Sequence, residues 1–269
     1  MSAEYDRLKD GMRWMWSLGD YSRVAEVLEP YAEALAEFCG IRPRTTVLDV
    51  AAGNGNFALA AARRGAIVTA TDLTPRMIDL GRARTAHVSE IEWAEADAEQ
   101  LRIADATYDV VASVFGAQFA PRPQLVAAEM FRVAKPGGLV AMANYSPGGF
   151  LGGMGALLAS FSAHPAFELP SPFQWGDEEE VRHRFEGLAK SIDFDQRKLY
   201  FKGDSVEGFL AFWEETNAPQ SALRTMMPPH DYQQVRAAAT SLFAELNEST
   251  DGRLKLSSPY LLVRARKLS

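Results

Sequence analysis

One stretch constrains this chain more than any other: Val47-Leu48-Asp49-Val50-Ala51-Ala52-Gly53-Asn54-Gly55-Asn56-Phe57, where an apolar run passes through small residues into helix-forming ones. It reads as a strand, a tight turn and a helix. Gly53 and Gly55 carry no side chain, so their backbone can approach a ligand closely and turn N–H groups toward an electron-rich group. The turn alone suits two kinds of cofactor, because Gly53-x-Gly55-x-x-Ala58 also satisfies the dinucleotide-binding spacing.

Around this stretch β-rich runs alternate with helical ones. Strands are predicted over 46–50, 67–71, 91–94, 108–113 and 139–144, with helices over 56–64, 75–86 and 121–134. Thr74 is the expected N-cap of the second helix and Pro75 its first residue. Such alternation predicts a parallel, doubly wound sheet with helices on both faces and ligands at the carboxyl ends of the strands. Upstream, Val24, Val27, Leu28, Tyr31, Leu35 and Phe38 recur at helical steps, and Gly40 ends that helix. Downstream, five glycines within 147–160 predict a pliable helix. Asp177 and Glu180 form the pattern of a capping box for a helix over 178–187. A strand over 194–201, helices over 205–217 and 230–247, and a final edge strand over 260–266 complete the reading.

Three carboxylates bear on the cofactor. Asp49 lies inside the first strand, four residues before Gly53, where a dinucleotide site carries an apolar residue. A carboxylate buried there is costly unless paired, which assigns it to organising the turn. Asp72 ends the second strand, where it can accept from both hydroxyls of a ribose; this fits either cofactor. Asp97-Ala98 follows the third strand, where a carboxylate can accept from an exocyclic amine while the next N–H donates to a ring nitrogen.

With these pieces in order, residues 45–145 resemble the class I S-adenosylmethionine-dependent methyltransferases, in particular the ubiquinone/menaquinone-biosynthesis-type branch. The matching segments are VLDVAAGNGNFAL (47–59), TATDLTPRMIDLGR (69–82), EADAEQL (95–101), YDVVASVFGAQFA (108–120) and FRVAKPGGLVAMANY (131–145). The resemblance implies an α/β fold with a doubly wound, seven-stranded, mostly parallel Rossmann-like sheet, its last strand antiparallel, under an added helical cover. The chain then divides into a helical lid (1–40), a cofactor-binding core (41–146), an acceptor-covering region (147–250) and a C-terminal strand (251–269). S-adenosylmethionine is the implied cofactor. Ala51, Gly53 and Gly55 would pass under its methionine part, and Asp72 would hold the ribose. Leu73 and Met77 would lie against the adenine, Asp97 and Ala98 at its edge. Ser113 and Phe115 would line the sulfonium end. Ala51 stands where the family pattern has its first glycine.

The acceptor site is less legible. Gly19-Asp20-Tyr21 is either a plain helix entry or part of a lid that brings Tyr21 over the cofactor. Trp14, Asn144, Tyr145, Phe150, Trp175 and Trp213 are candidate acceptor walls, with Phe161, Phe173, Phe209 and Phe212 adding aromatic surface. That composition suits a small, partly hydrophobic acceptor methylated at oxygen or carbon. A sulfonium methyl is already activated, so alignment and water exclusion matter more than a strong base. Among the histidines, His230 is the candidate base; His87 follows a helix as a surface cap, and His164 and His183 have no identifiable partner in the sequence. Two alternatives stay open: the same fold used as a cyclase, isomerase or binding module, and a nicotinamide-dependent oxidoreductase.

The remaining expectations are exclusions. A formal charge of −7 argues against a nucleic-acid partner, and no metal-ligand spacing is present. No run approaches a membrane span. The charged N-terminus lacks the apolar core of a signal peptide, and the single Cys39 at an apolar position reads as a buried thiol; both point to the cytoplasm.

Overall fold

A computed structural model describes residues 2–162 and 169–269. Seven strands form one sheet in the order β3-β2-β1-β4-β5-β7-β6. They are β1 (Thr46–Val50), β2 (Ile67–Asp72), β3 (Ile91–Glu95), β4 (Tyr108–Val114), β5 (Ala134–Tyr145), β6 (Ala189–Gly203) and β7 (Leu254–Lys267). The first five are mutually parallel, and β7 runs antiparallel to both β5 and β6. β1 is central and covered on both faces. Val47, Leu48 and Val50 are therefore all buried, as a parallel strand requires.

The C-terminal strand corrects the expected edge. β7 lies between β5 and β6, and β6 is the edge. Residues 261–263 of β7 are buried without alternation, because sheet neighbours on both sides and covering side chains above and below leave no solvent face. The charged residues of β6, such as Lys190, Asp193, Arg197 and Lys202, are those an edge strand carries.

Helices α3 (Asn56–Ala62), α4 (Pro75–Thr85), α5 (Pro123–Val133) and α7 (Glu178–Arg184) flank the sheet. Thr74 occupies the N-cap position of α4 but makes no side-chain cap bond; its N–H is taken by Asp72. Asp177 does cap α7, accepting from the N–H groups of Glu179 and Glu180. Helices α1 (Ser2–Trp16), α2 (Tyr21–Cys39), α6 (Gly149–Phe161), α8 (Val206–Thr216), α9 (Ala218–Met226) and α10 (Pro229–Glu245) include those that cover the carboxyl ends of the strands. The short α9 was not legible as a separate helix: Asn217 ends α8 and caps α9 through its own side chain. The glycines of α6 serve packing as well as pliability, since a Cβ on Gly155 would lie 2.3 Å from the Phe173 ring. Cys39 is buried at the end of α2, and burial pushes its thiol up to about 12. Among the described residues no helix is long and apolar enough to cross a membrane.

Candidate active site

Two carboxylates hold the glycine turn in shape. Asp49 is 1% exposed; its Oδ2 accepts the Ala58 N–H at 3.0 Å, tying β1 to the first turn of α3. Its Oδ1 has no partner among the described residues. Burial pushes this carboxyl well above the usual range, and the neighbouring Asp72 adds to the effect. Asp72 accepts the Gly53 N–H at 2.9 Å through Oδ2 and the Thr74 N–H at 2.8 Å through Oδ1. Burial raises it to about 6 in spite of those bonds.

Over the turn lies Tyr21, at the start of α2. A Cβ on Gly53 would meet its ring at 2.9 Å, and Gly53 has φ +57, so this position is closed to side chains twice over. Burial, then Asp72 and Asp49, push the Tyr21 phenol above its ordinary value. Tyr145, at the end of β5, stacks on Phe115 at 4.1 Å between ring centroids and is raised by burial as well. Neither phenol is poised to lose its proton.

A cavity of about 1210 Å³ runs over the carboxyl ends of the strands. One end is walled by Ala51, Gly53, Asp72, Leu73, Met77, Asp97, Ala98 and Phe115. The other is apolar, with Leu151, Met154, Leu158, Phe173, Phe201 and Trp213. Tyr21 and Tyr145 also line it. A pocket for a single drug-sized ligand measures roughly 300–1,000 Å³, so this space has room for two molecules in contact.

Several expected residues lie elsewhere. Gly55 is not on the wall: its missing Cβ makes room for Trp93, which would sit 2.9 Å away. Ser113 turns inward, and its Oγ accepts the Ala117 N–H at 3.0 Å. Asn144 is buried behind the wall, with Nδ2 lacking a partner among the described residues. Phe150 is fully buried in an aromatic cluster with Phe201, Phe209, Trp213 and Phe243, so it is core rather than cavity wall. Trp175 is core too, packed against Phe185 and the Arg184 guanidinium. Trp14 is 42% exposed, whereas Trp16, on another face of α1, reaches the cavity. His230 is a surface residue paired with Asp231 at 3.0 Å, outside the cavity lining. His87 is exposed, as is His183; His164 lies outside the described residues.

Other wall residues gave no local sequence signal. Gly116 follows Phe115 and touches the turn: a Cβ there would lie 2.2 Å from the Ala51 carbonyl. Gln118 is 2% exposed and fixes Tyr145 by accepting its N–H at 2.8 Å. Lys9, from α1, pairs with Asp97 and Glu99. Each becomes visible only once distant segments meet.

The arrangement fits a ligand with a ribose between an adenine and a flexible tail. Asp72 offers acceptors at the middle, Leu73 and Met77 offer apolar faces beside it, and Asp97 offers an acceptor beyond. A family profile described as a methyltransferase domain matches residues 48–142. A demethylmenaquinone methyltransferase of Clavibacter sepedonicus is 34% identical over 150 residues, covering 54% of this chain and 55% of that protein. Residues 48–142 thus carry a methyltransferase domain, which supports the class I S-adenosylmethionine-dependent kind.

A methyltransferase domain points to S-adenosylmethionine rather than a dinucleotide as the cofactor. An uncharacterised protein of Mycobacterium tuberculosis is 41% identical over 182 residues, 67% of this chain and 66% of its own length. Across these mycobacterial relatives the match spans 61% to 66% of their length. Among solved structures, YcgJ of Bacillus subtilis shares the fold with a TM-score of 0.62 at 17% identity, covering 89% of this chain and 99% of its own. A Haemonchus contortus phosphoethanolamine N-methyltransferase complexed with S-adenosylmethionine follows at 0.54 and 16% identity, covering 89% of this chain and 53% of that one. In the methyltransferase turn, Ala51 replaces the usual glycine and still adopts φ +54, a left-handed conformation that costs a non-glycine residue roughly 1–2 kcal/mol.

Proposed function

We propose that this protein transfers the methyl group of S-adenosylmethionine to a small, partly hydrophobic organic acceptor, at oxygen or carbon. The observation that carries this reading is the continuity of the cavity, which passes without a break from the polar cofactor end to an apolar wall. In this reading Asp72 holds the ribose hydroxyls, Leu73 and Met77 the adenine faces, and Asp97 with Ala98 the adenine edge. Ala51 and Gly53 underlie the methionine part; Phe115 and Tyr21 close the end where the methyl lies. When bound, the cofactor supplies a methyl group on a positively charged sulfur with a neutral leaving group.

What remains for the chain is to align the acceptor for in-line attack and to keep water away. Residues from α1, α2, α6 and α9 are the means of closure. Among the described residues the lining contains no histidine, cysteine or glutamate, and the two tyrosines are held protonated. Because the sulfonium methyl is already activated, the reading favours an acceptor that brings its own nucleophilic electron pair, such as an enolate or an acidic phenol. The name of the Clavibacter relative puts quinol-type compounds first in a screen.

The test is incubation with methyl-labelled S-adenosylmethionine and a panel of quinols, phenols and 1,3-dicarbonyl compounds. The expected result is labelled product with one equivalent of S-adenosylhomocysteine, lost in Asp72→Ala. Tight cofactor binding with an acceptor converted and no S-adenosylhomocysteine formed would point instead to the cyclase or isomerase reading.

A further inference from the structure

Lys9 sits on α1 with only 6% of its surface exposed, rare for a lysine unless it is paired. Its Nζ contacts Asp97 Oδ2 and Glu99 Oε2. The Glu99 side chain has no exposed surface and is otherwise held by Arg122, which donates its backbone N–H at 2.7 Å and its Nε at 2.8 Å. Asp97 Oδ1 is taken by the Glu99 N–H at 2.9 Å. Two cations thus face two carboxylates, and Lys9 is the only cation on Asp97 among the described residues. Asp97 and Lys9 both line the cofactor end of the cavity. Leu8, Met12 and Trp16 bring α1 onto the same wall, and the Arg76 side chain pins its end by donating to the Ser17 carbonyl at 2.6 Å.

We propose that Lys9 is a positioning residue for adenine recognition: acting through Asp97, it fixes Oδ2 at the cavity wall as acceptor for the exocyclic amine. This rests on reading Asp97 as the adenine partner. A carboxylate oxygen has more than one lone pair, so Oδ2 can accept from the amine while Lys9 holds it. Without Lys9, Arg122 stays on Glu99, and Asp97, left beside a buried like charge, turns toward solvent. Selectivity for adenine over other purines therefore depends on α1 being seated. Sequence position 9 and position 97 form one recognition unit.

The test compares S-adenosylhomocysteine with its inosine analogue, which carries an oxygen in place of the amine, by calorimetry. The wild-type protein is expected to prefer the adenine compound by about tenfold or more, the worth of one charge-assisted hydrogen bond. In Lys9→Met the preference falls to about threefold or less, while Lys9→Arg retains it. Lys9→Gln serves as a second neutral variant, so a folding defect in one does not decide the matter. Hydrogen exchange across residues 5–16 slows on ligand addition in the wild type and in Lys9→Arg, and not in the neutral variants. An unchanged preference in both neutral variants, even with both ligands equally weakened, overturns the proposal while leaving the cofactor reading intact. Failure of the wild type to bind either compound overturns both.

Discussion

Asp72 makes cofactor affinity depend on pH in a window where few other groups act. Burial raises its carboxyl to about 6 from the ordinary 3.8, and two backbone N–H groups already occupy its oxygens. Ribose hydroxyls bind it best as an ionised acceptor, so affinity should scale with the ionised fraction. For a group titrating at about 6, the apparent Kd is about 1.1 times its limiting value at pH 7 and about 11 times at pH 5. The expected weakening is thus about tenfold, or ~1.4 kcal/mol. S-adenosylhomocysteine is the ligand of choice, because its amino acid groups titrate outside this window. The linkage to folding has the opposite sign. A carboxyl raised in the folded state favours the protonated native protein, so its contribution to stability grows as pH falls from 6 to 3.8, by at most about 3 kcal/mol. Acid weakening of binding over pH 7 to 5 cannot then come from this group unfolding the protein. Calorimetry at five pH values, with Asp72→Asn as control, decides the matter. A wild-type Kd constant within about twofold, or an equal slope in Asp72→Asn, would refute the assignment.

Other substitutions separate wall from core. Gly53→Ala forces a left-handed alanine against the Tyr21 ring; a loss of about 2 kcal/mol and a cofactor Kd raised by about tenfold or more are expected in thermal melts and calorimetry. Phe150→Ala removes the centre of an aromatic cluster with ring centroids 4.9–5.7 Å away. It should cost about 3–5 kcal/mol in denaturant unfolding yet leave the Kd for S-adenosylhomocysteine within about threefold. His230→Ala, on the surface, should leave both cofactor affinity and turnover unchanged; a large drop in turnover would reinstate it as a base.

Local chemistry made much of the fold and half of the site readable. The turn is set by Gly53 and Gly55, which tolerate positive φ, and the strands by uninterrupted apolar runs. Asp49 and Asp72 stand out because a carboxylate at a strand's buried end must have a use. These are matters between near neighbours in the chain, and the sequence alone determined them, together with the parallel half of the sheet. Tertiary structure decided the rest. Phe150, Trp175 and Trp213 are equally aromatic in sequence, yet the first two are core and only the third meets the cavity. Their fate depends on which side of α6, of the short turn before α7 and of α8 faces the sheet. The final strand became interior because β6 lay free to cover it. Lys9 found Asp97 across 88 positions, joining a helix to a loop with no pattern linking them. Burial and pairing of that kind arise from how packed elements meet in space, and no spacing along the chain records it.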